Sequence, residues 1–442
     1  MNFLIDRECP RYVVLLATLN FVLGLYGYEF IATMGNPFMA GGHSQIITIP
    51  YRAVCLGISL YLIFCCRPNY VKLKPVIVCL IIYWMILILR LVYDFYIQWD
   101  FDIRPEGRNK VLLFFLCINL PQSLSYALSW EKVDYGKAFK YLALMLVSIA
   151  VFNFIFNPAL LFGTTMNTDE ALVTSDGRLT GGVALNTISF AHCGVALSLV
   201  ALYTYNYVKE VNKYLCLFLF GMGAFIMLKA GSRGPFVCFT VILLMYYSFQ
   251  AKQIIYVFLI ATLFCIVIYA CKDLLLTLVK DVSPVLYNRT MLTLEKGNLS
   301  GRDHSFEYAL EIWKQYPLLG RYFTYYFGSP AIPGYTHNVF FDSMIMGGML
   351  GVAMMAYFYW TVVKSLYVAM KYSSALLWIP LIILQKYLAC QLSGAFWETP
   401  ALSMGLVSVV CLLPYFEDNS DYEENIEKEE SFENEESLSC IQ

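Results

Sequence analysis

Apolar residues in this chain come in blocks of about 17–25, the length that crosses the hydrocarbon core of a bilayer. That feature limits the chain to a polytopic membrane protein, all-α, and excludes a soluble enzyme, a nucleic-acid binder or a secreted disulfide scaffold. Composition agrees. Charged residues make up only 14% of the 442, hydrophobic residues 59%, aromatic residues 17%, and the mean hydropathy is +0.61. An ordinary soluble domain needs about 25% charged residues to cover its surface.

Twelve spans are predicted: 12–31, 46–66, 75–98, 111–129, 138–162, 183–207, 213–229, 234–250, 253–271, 338–362, 375–392 and 399–415. The first is long enough to serve as an uncleaved anchor. Lys and Arg set the orientation. With the N-terminus inside, the inner segments carry thirteen of them and the short outer loops six, so both termini are expected in the cytoplasm. The predicted organisation is a transmembrane domain over 1–415, with one large outer loop at 272–337 between spans nine and ten. An acidic tail follows at 416–442. From Glu417 onward there are eleven acids and one base, Lys428, so the tail is expected to be a solvated, disordered extension without chemistry of its own.

The long loop is expected to contain a helix over Asp303–Tyr316, with Phe306, Leu310, Trp313 and Tyr316 near one face and Pro317 as its stop. That helix either lies on the outer interface or simply packs against the bundle. Most of the fourteen cysteines sit inside apolar spans and no CxxC occurs, which reads as small hydrophobic residues in a membrane. The four histidines, His43, His192, His304 and His337, form no zinc-spaced cluster, and there is no Walker A loop or Rossmann fingerprint. Neither metal nor nucleotide chemistry has sequence support, so no cofactor is expected.

What stands out is a set of arginines on the expected outer side. Arg178 lies in Gly177-Arg178-Leu179-Thr180-Gly181 and Arg233 in Gly231-Ser232-Arg233-Gly234-Pro235; Arg289, Arg302 and Arg321 lie in the long loop. The planar guanidinium fork fits phosphate. These arginines either converge on a diphosphate at the membrane surface or anchor helices at the headgroup level. Arg90 and Asp94, four apart near the outer end of span three, are placed to pair on one helix face. His337, where the loop re-enters the membrane, is either a proton acceptor for a sugar hydroxyl or an incidental interfacial histidine.

Four segments, taken in order, resemble the bacterial O-antigen polymerase and O-antigen ligase family. They are Gly177–Gly181; Gly231–Pro235; Ser300-Gly301-Arg302 through Ile312-Trp313 to Tyr316-Pro317-Leu318-Leu319-Gly320; and His337-Asn338-Val339-Phe340-Phe341 followed by Gly347-Gly348-Met349-Leu350-Gly351. The match covers roughly residues 175–352. The resemblance implies a membrane glycosyltransferase of the bacterial inner membrane, with its active site in the periplasm and undecaprenyl-diphosphate-linked glycans as donor and acceptor. It implies that Arg178, Arg233 and Arg302 hold the diphosphate and that His337 is the general base, with Arg289, Arg321 and Asn338 as secondary candidates. Arg321 stands where the family often has a small residue. The expected activity is polymerisation of lipid-linked repeat units in lipopolysaccharide O-antigen biosynthesis, with a chain-length regulator protein as a further partner. Ligation of the glycan to lipid A–core is the alternative. A flippase is the rival from another class; it would place charges along a central cavity, whereas the spans here read as mostly uncharged.

Overall fold

The computed structural model describes residues 9–35, 45–66, 74–98, 100–156, 186–250, 302–372 and 374–416, with a few residues between 276 and 291. Helices account for nearly all of it: α1 (Arg11–Met34), α2 (Gln45–Cys65), α3 (Pro75–Ile97), α4 (Pro105–Lys132), α5 (Tyr135–Phe156), α6 (Thr187–Tyr207), α7 (Lys213–Ala230), α8 (Arg233–Gln250), α9 (Arg302–Gln315), α10 (Val339–Tyr372), α11 (Trp378–Leu392) and α12 (Pro400–Phe416). Eleven of the twelve predicted spans fall on helices, and span 253–271 lies outside the described residues. Eight helices, α1 to α7 and α10, are long and apolar enough to cross a membrane. The other three expected spans, α8, α11 and α12, fall short in length or hydropathy. The chain is therefore an all-α polytopic membrane protein with eight such helices among the described residues.

Local sequence sets the helix ends. Pro75 and Pro105 begin α3 and α4, where a missing N–H costs nothing. The Asn186 and Asn212 side chains cap α6 and α7, accepting from Ser189 N–H and Tyr214 N–H at 2.8 Å. Gly231, at φ 61°, ends α7 and leads through Ser232 directly into α8. Leu89, Leu144 and Phe64 point outward, exposed by 63–83%, as side chains facing lipid would. The opposite faces build one continuous core that includes Trp378, Tyr126, Phe21 and Phe358.

The segment before α10 differs from a plain loop. As expected, α9 forms and ends before Pro317. Its packed face, however, is Ser305, Ala309 and Ile312 against Ile345 of α10, whereas Leu310 and Tyr316 are exposed. Two of the four predicted stripe residues thus face outward while Phe306 and Trp313 stay half-buried, because small Ser305 and Ala309 let the helix approach α10 closely. Of the stripe, Phe306 turns back far enough to stack on Phe341 at 4.5 Å. A two-stranded antiparallel hairpin follows, β1 (Tyr325–Phe327) and β2 (Ile332–Gly334), which the sequence reading did not anticipate. Its turn is stitched to the start of α4: Arg104 N–H donates to Ala331 O at 3.0 Å, and Ala331 N–H to Asp102 O at 2.7 Å.

α10 breaks at Gly348, whose φ of 54° and ψ of −139° are open only to glycine. The break exposes backbone groups that the Pro317–Gly320 turn takes up. Met349 N–H donates to Pro317 O at 2.8 Å, while Arg321 and Tyr322 N–H both donate to Ile345 O at 2.8 and 3.2 Å. A Cβ on Gly320 would overlap the Ile345 carbonyl, and one on Gly348 the Pro317 carbonyl. Two of the glycine-bearing motifs are therefore the two halves of one backbone joint.

Candidate active site

The joint is held from a third side by α3. Arg90 donates to Leu319 O at 2.7 Å, Gly320 O at 3.1 Å and Met346 O at 3.2 Å. Asp94 lies in a π-helical turn (Tyr93–Ile97) that ends α3. Its Oδ2 accepts from both Phe323 N–H and the Tyr326 hydroxyl, each at 2.6 Å. No ion pair joins Arg90 and Asp94 among the described residues, contrary to the expected pairing. The i, i+4 spacing does put them on one face, but that face meets loop backbone, whose free carbonyls and N–H groups take both side chains.

A separate set of bonds fixes the turn that carries His337. Thr336 N–H donates to Asp342 Oδ1 at 2.8 Å, and the Thr336 hydroxyl donates to Asn338 O at 2.8 Å. Asn338 Oδ1 accepts from Phe340 N–H at 2.9 Å and Phe341 N–H at 3.4 Å, capping α10. Its amide donates to Gln391 O at 3.3 Å. Asn338 thus has a structural task that accounts for all its contacts. Between these anchored residues His337 adopts φ 65°, the one non-glycine residue in the left-handed region among those described. Strain of this kind, about 1–3 kcal/mol, persists where the surroundings over-determine it. Its ring meets that of Tyr335 edge-on, with centroids 4.7 Å apart, and its Nδ1 has no hydrogen-bond partner.

The arginines separate into two groups. Arg302, at the start of α9, is within electrostatic reach of Arg233, Tyr335 and His337. Burial first, and the Arg233 guanidinium second, hold Arg302 below the ordinary arginine value, with Tyr335 acting the other way. Burial, then the Arg302 charge, push the His337 pKa below the usual histidine value. His337, with one ring nitrogen lacking a hydrogen-bond partner, thus feels the charge of Arg302, which in turn feels that of Arg233 from a different helix. Arg321 belongs elsewhere: it approaches Asp100 at 3.4 Å and sits over the rings of Tyr93, Tyr316 and Tyr322 at 5.2–5.9 Å. Arg178 and Arg289 lie outside the described residues, as do most of 272–301 and the acidic tail.

Sequence reasoning missed several groups here. Tyr335 was passed over, although it lies two residues from His337. Glu29, Arg52 and Lys386 sit inside predicted spans, and Glu29 and Lys386 form a largely buried ion pair at 2.8 Å between α1 and α11. The reading of the spans as mostly uncharged gave these three no weight; a charge within a span boundary was the available signal.

The grouping of Arg233, Arg302 and His337 spans three of the four motifs quoted above. Residues 217–356 match the family model described as O-antigen ligase, a stretch that includes all three side chains and both halves of the backbone joint but not Arg178. No curated protein matches the chain. Over residues 217–356, 140 of the 442 residues, the chain is therefore similar to the O-antigen ligase family.

Proposed function

We propose that this protein is an O-antigen polymerase, joining undecaprenyl-diphosphate-linked oligosaccharide repeat units at the periplasmic face of the bacterial inner membrane. One observation supports the chemistry: a left-handed turn holds His337 with its Nδ1 unpartnered, under the charge of Arg302, which itself feels Arg233. The acceptor hydroxyl attacks the anomeric carbon of the donor sugar and gives its proton to His337. The bond from that carbon to the diphosphate oxygen breaks, and undecaprenyl diphosphate leaves with the electron pair. Arg233 and Arg302, with Arg178 arriving from another segment, neutralise the charge that develops on the leaving group. Fixed cations of this sort need no nucleotide or metal, because the diphosphate is already an activated leaving group. The apolar helix faces shelter the polyprenyl chain. A chain-length regulator is a further partner in this reading.

The similarity to the family described as O-antigen ligase favours ligation as the second reading, with lipid A–core as its acceptor. The lipopolysaccharide ladder of a deletion strain separates the two. Loss of a polymerase leaves core plus one repeat unit, and loss of a ligase leaves core alone. Purified protein given only the lipid-linked repeat unit should form polymer and release undecaprenyl diphosphate. A His337→Ala variant should be about 10²–10⁴-fold slower while still binding donor. Turnover at the wild-type rate by that variant would remove His337 as the base.

A further inference from the structure

Behind Tyr335, a cavity of about 310 Å³ extends between α1, α2, α4, α6 and α11. That volume is at the small end of ligand pockets, about 300–1,000 Å³. Tyr335 and Ser393 stand at the end nearest His337, and Lys386 lies seven residues before Ser393 on α11, about 10 Å deeper at 1.5 Å per residue. Four charged side chains line the cavity, and each is engaged. Lys386 Nζ meets Glu29 Oε1 at 2.8 Å and lies 3.6 Å from the Tyr26 ring centroid. Glu398 pairs with Lys110 at 3.7 Å. Arg52 sits over the Phe114 ring at 4.2 Å. The four lining charges sum to zero, with Glu398 acting on Arg52 as well as on Lys110, so the cavity presents no net charge to a phosphate.

What remains is neutral hydrogen-bonding capacity beside aromatic surface. Gln122, Asn186, Ser189, Gln385 and Thr399 line the walls among the rings of Tyr28, Tyr51 and Tyr335. The Tyr26 hydroxyl donates to Gln385 Oε1 at 2.6 Å, and Gln385 Nε2 faces His192 Nδ1 at 3.1 Å. That chain makes His192 Nδ1 an acceptor and leaves Nε2–H as the donor. His192 is 7% exposed, lines the cavity, and its Nε2 has no partner. A buried donor without a partner costs about 1–3 kcal/mol, and a bound acceptor removes that cost. A hydrocarbon chain would strand these groups, and a diphosphate would find no net charge.

Resting on the proposed transferase reading, we infer that this cavity is the acceptor-sugar subsite, holding an uncharged sugar ring whose reactive hydroxyl is presented past Tyr335 to His337. Donor diphosphate and acceptor sugar are then recognised by separate residues, cations outside and neutral polar groups within.

The test uses full-length purified protein and two probes: the repeat-unit oligosaccharide freed from its carrier by mild acid, and undecaprenyl diphosphate alone. Ser189→Phe fills the cavity, with Ser189→Ala as its control. His192→Asn keeps an acceptor for the Gln385 amide and withdraws the unpartnered Nε2–H. The wild type, Ser189→Ala and His337→Ala should bind the oligosaccharide comparably. Ser189→Phe and His192→Asn should bind it about tenfold more weakly or worse, with undecaprenyl diphosphate binding unchanged. Wild-type oligosaccharide affinity in a monodisperse Ser189→Phe protein overturns the inference. So does no binding by the wild type, or an equal loss of both probes. If the wild type forms no polymer while the cavity variants still lose the oligosaccharide, the transferase reading fails and the sugar subsite stands. If polymer forms equally well with Ser189→Phe, the subsite alone fails.

Discussion

Replacing Asp94 by Ala should loosen the Arg321–Tyr326 segment, upstream of His337, without altering Arg233, Arg302 or His337 themselves. Asp94 is 2% exposed, and two donors from the loop, Phe323 N–H and the Tyr326 hydroxyl, converge on its Oδ2 at 2.6 Å. A hydrogen bond to a charged group contributes about 1.5–3 kcal/mol. Removing the carboxylate strands both donors, so the loop's docking should weaken by about 3–6 kcal/mol, or about 10²–10⁴-fold in its opening equilibrium. Because both donors meet one oxygen, Asp94→Asn can place its amide oxygen there and keep both bonds, losing only the charge. Tyr326→Phe removes one donor cleanly and should cost less than Asp94→Ala. Amide hydrogen exchange of the purified protein reads the opening directly. The Arg321, Tyr322 and Phe323 amides should exchange about 10²–10⁴-fold faster in Asp94→Ala, with Asp94→Asn and Tyr326→Phe in between. Unchanged protection in Asp94→Ala, or a loss spread over the whole helical bundle, would refute the clamp.

Gly348→Ala should cost about 1–3 kcal/mol for its backbone angles alone, and more because its Cβ meets the Pro317 carbonyl; thermal inactivation in detergent measures it. Arg233→Lys keeps the charge and loses the fork, so polymer formation should fall about ten- to a hundredfold with insertion intact, scored by product ladder and membrane abundance. His337 must be neutral to accept a proton, and burial with the Arg302 charge lowers its pKa, so activity should persist on the acid side below the ordinary histidine value. Arg302→Gln takes away that charge, so the acid limb of its residual rate should move to higher pH; a limb that stays in place would separate His337 from Arg302. Reporter fusions should put the 272–337 loop and the 163–182 loop outside and both termini inside. A cytoplasmic signal from the long loop would remove the proposed site.

The helices were legible because a bilayer demands apolar length, and length can be read from sequence. Arg233, Arg302 and His337 were legible as chemistry because cations and a histidine bordered the same expected surface. The roles of the glycine motifs were not. Gly320 and Gly348 are 28 residues apart, and only folding shows that each makes room for the other's backbone. Arg90 and Asp94 show the same limit: their spacing reveals a shared face but not that Gly320, Phe323 and Tyr326 occupy it. The stripe on α9 misled because size governed the contact, with Ser305 and Ala309 inside and Leu310 outside. Glu29 and Lys386 pair from opposite ends of the chain, so neither residue's surroundings pointed to the other.

The backbone joint between the Pro317–Gly320 turn and the break at Gly348 also bears on how such enzymes can be re-engineered. Grafting the 302–337 segment of a relative onto this chain would bring half of a mated pair. The recipient helix would keep a break shaped for the old turn, with the Ile345 carbonyl and Met349 N–H aimed at groups that had shifted. A working chimera should therefore carry residues 302–351 as a single cassette. Its compatible cut points lie before Arg302 and after Gly351, with Arg90 and Asp94 retained on the receiving side as the latch.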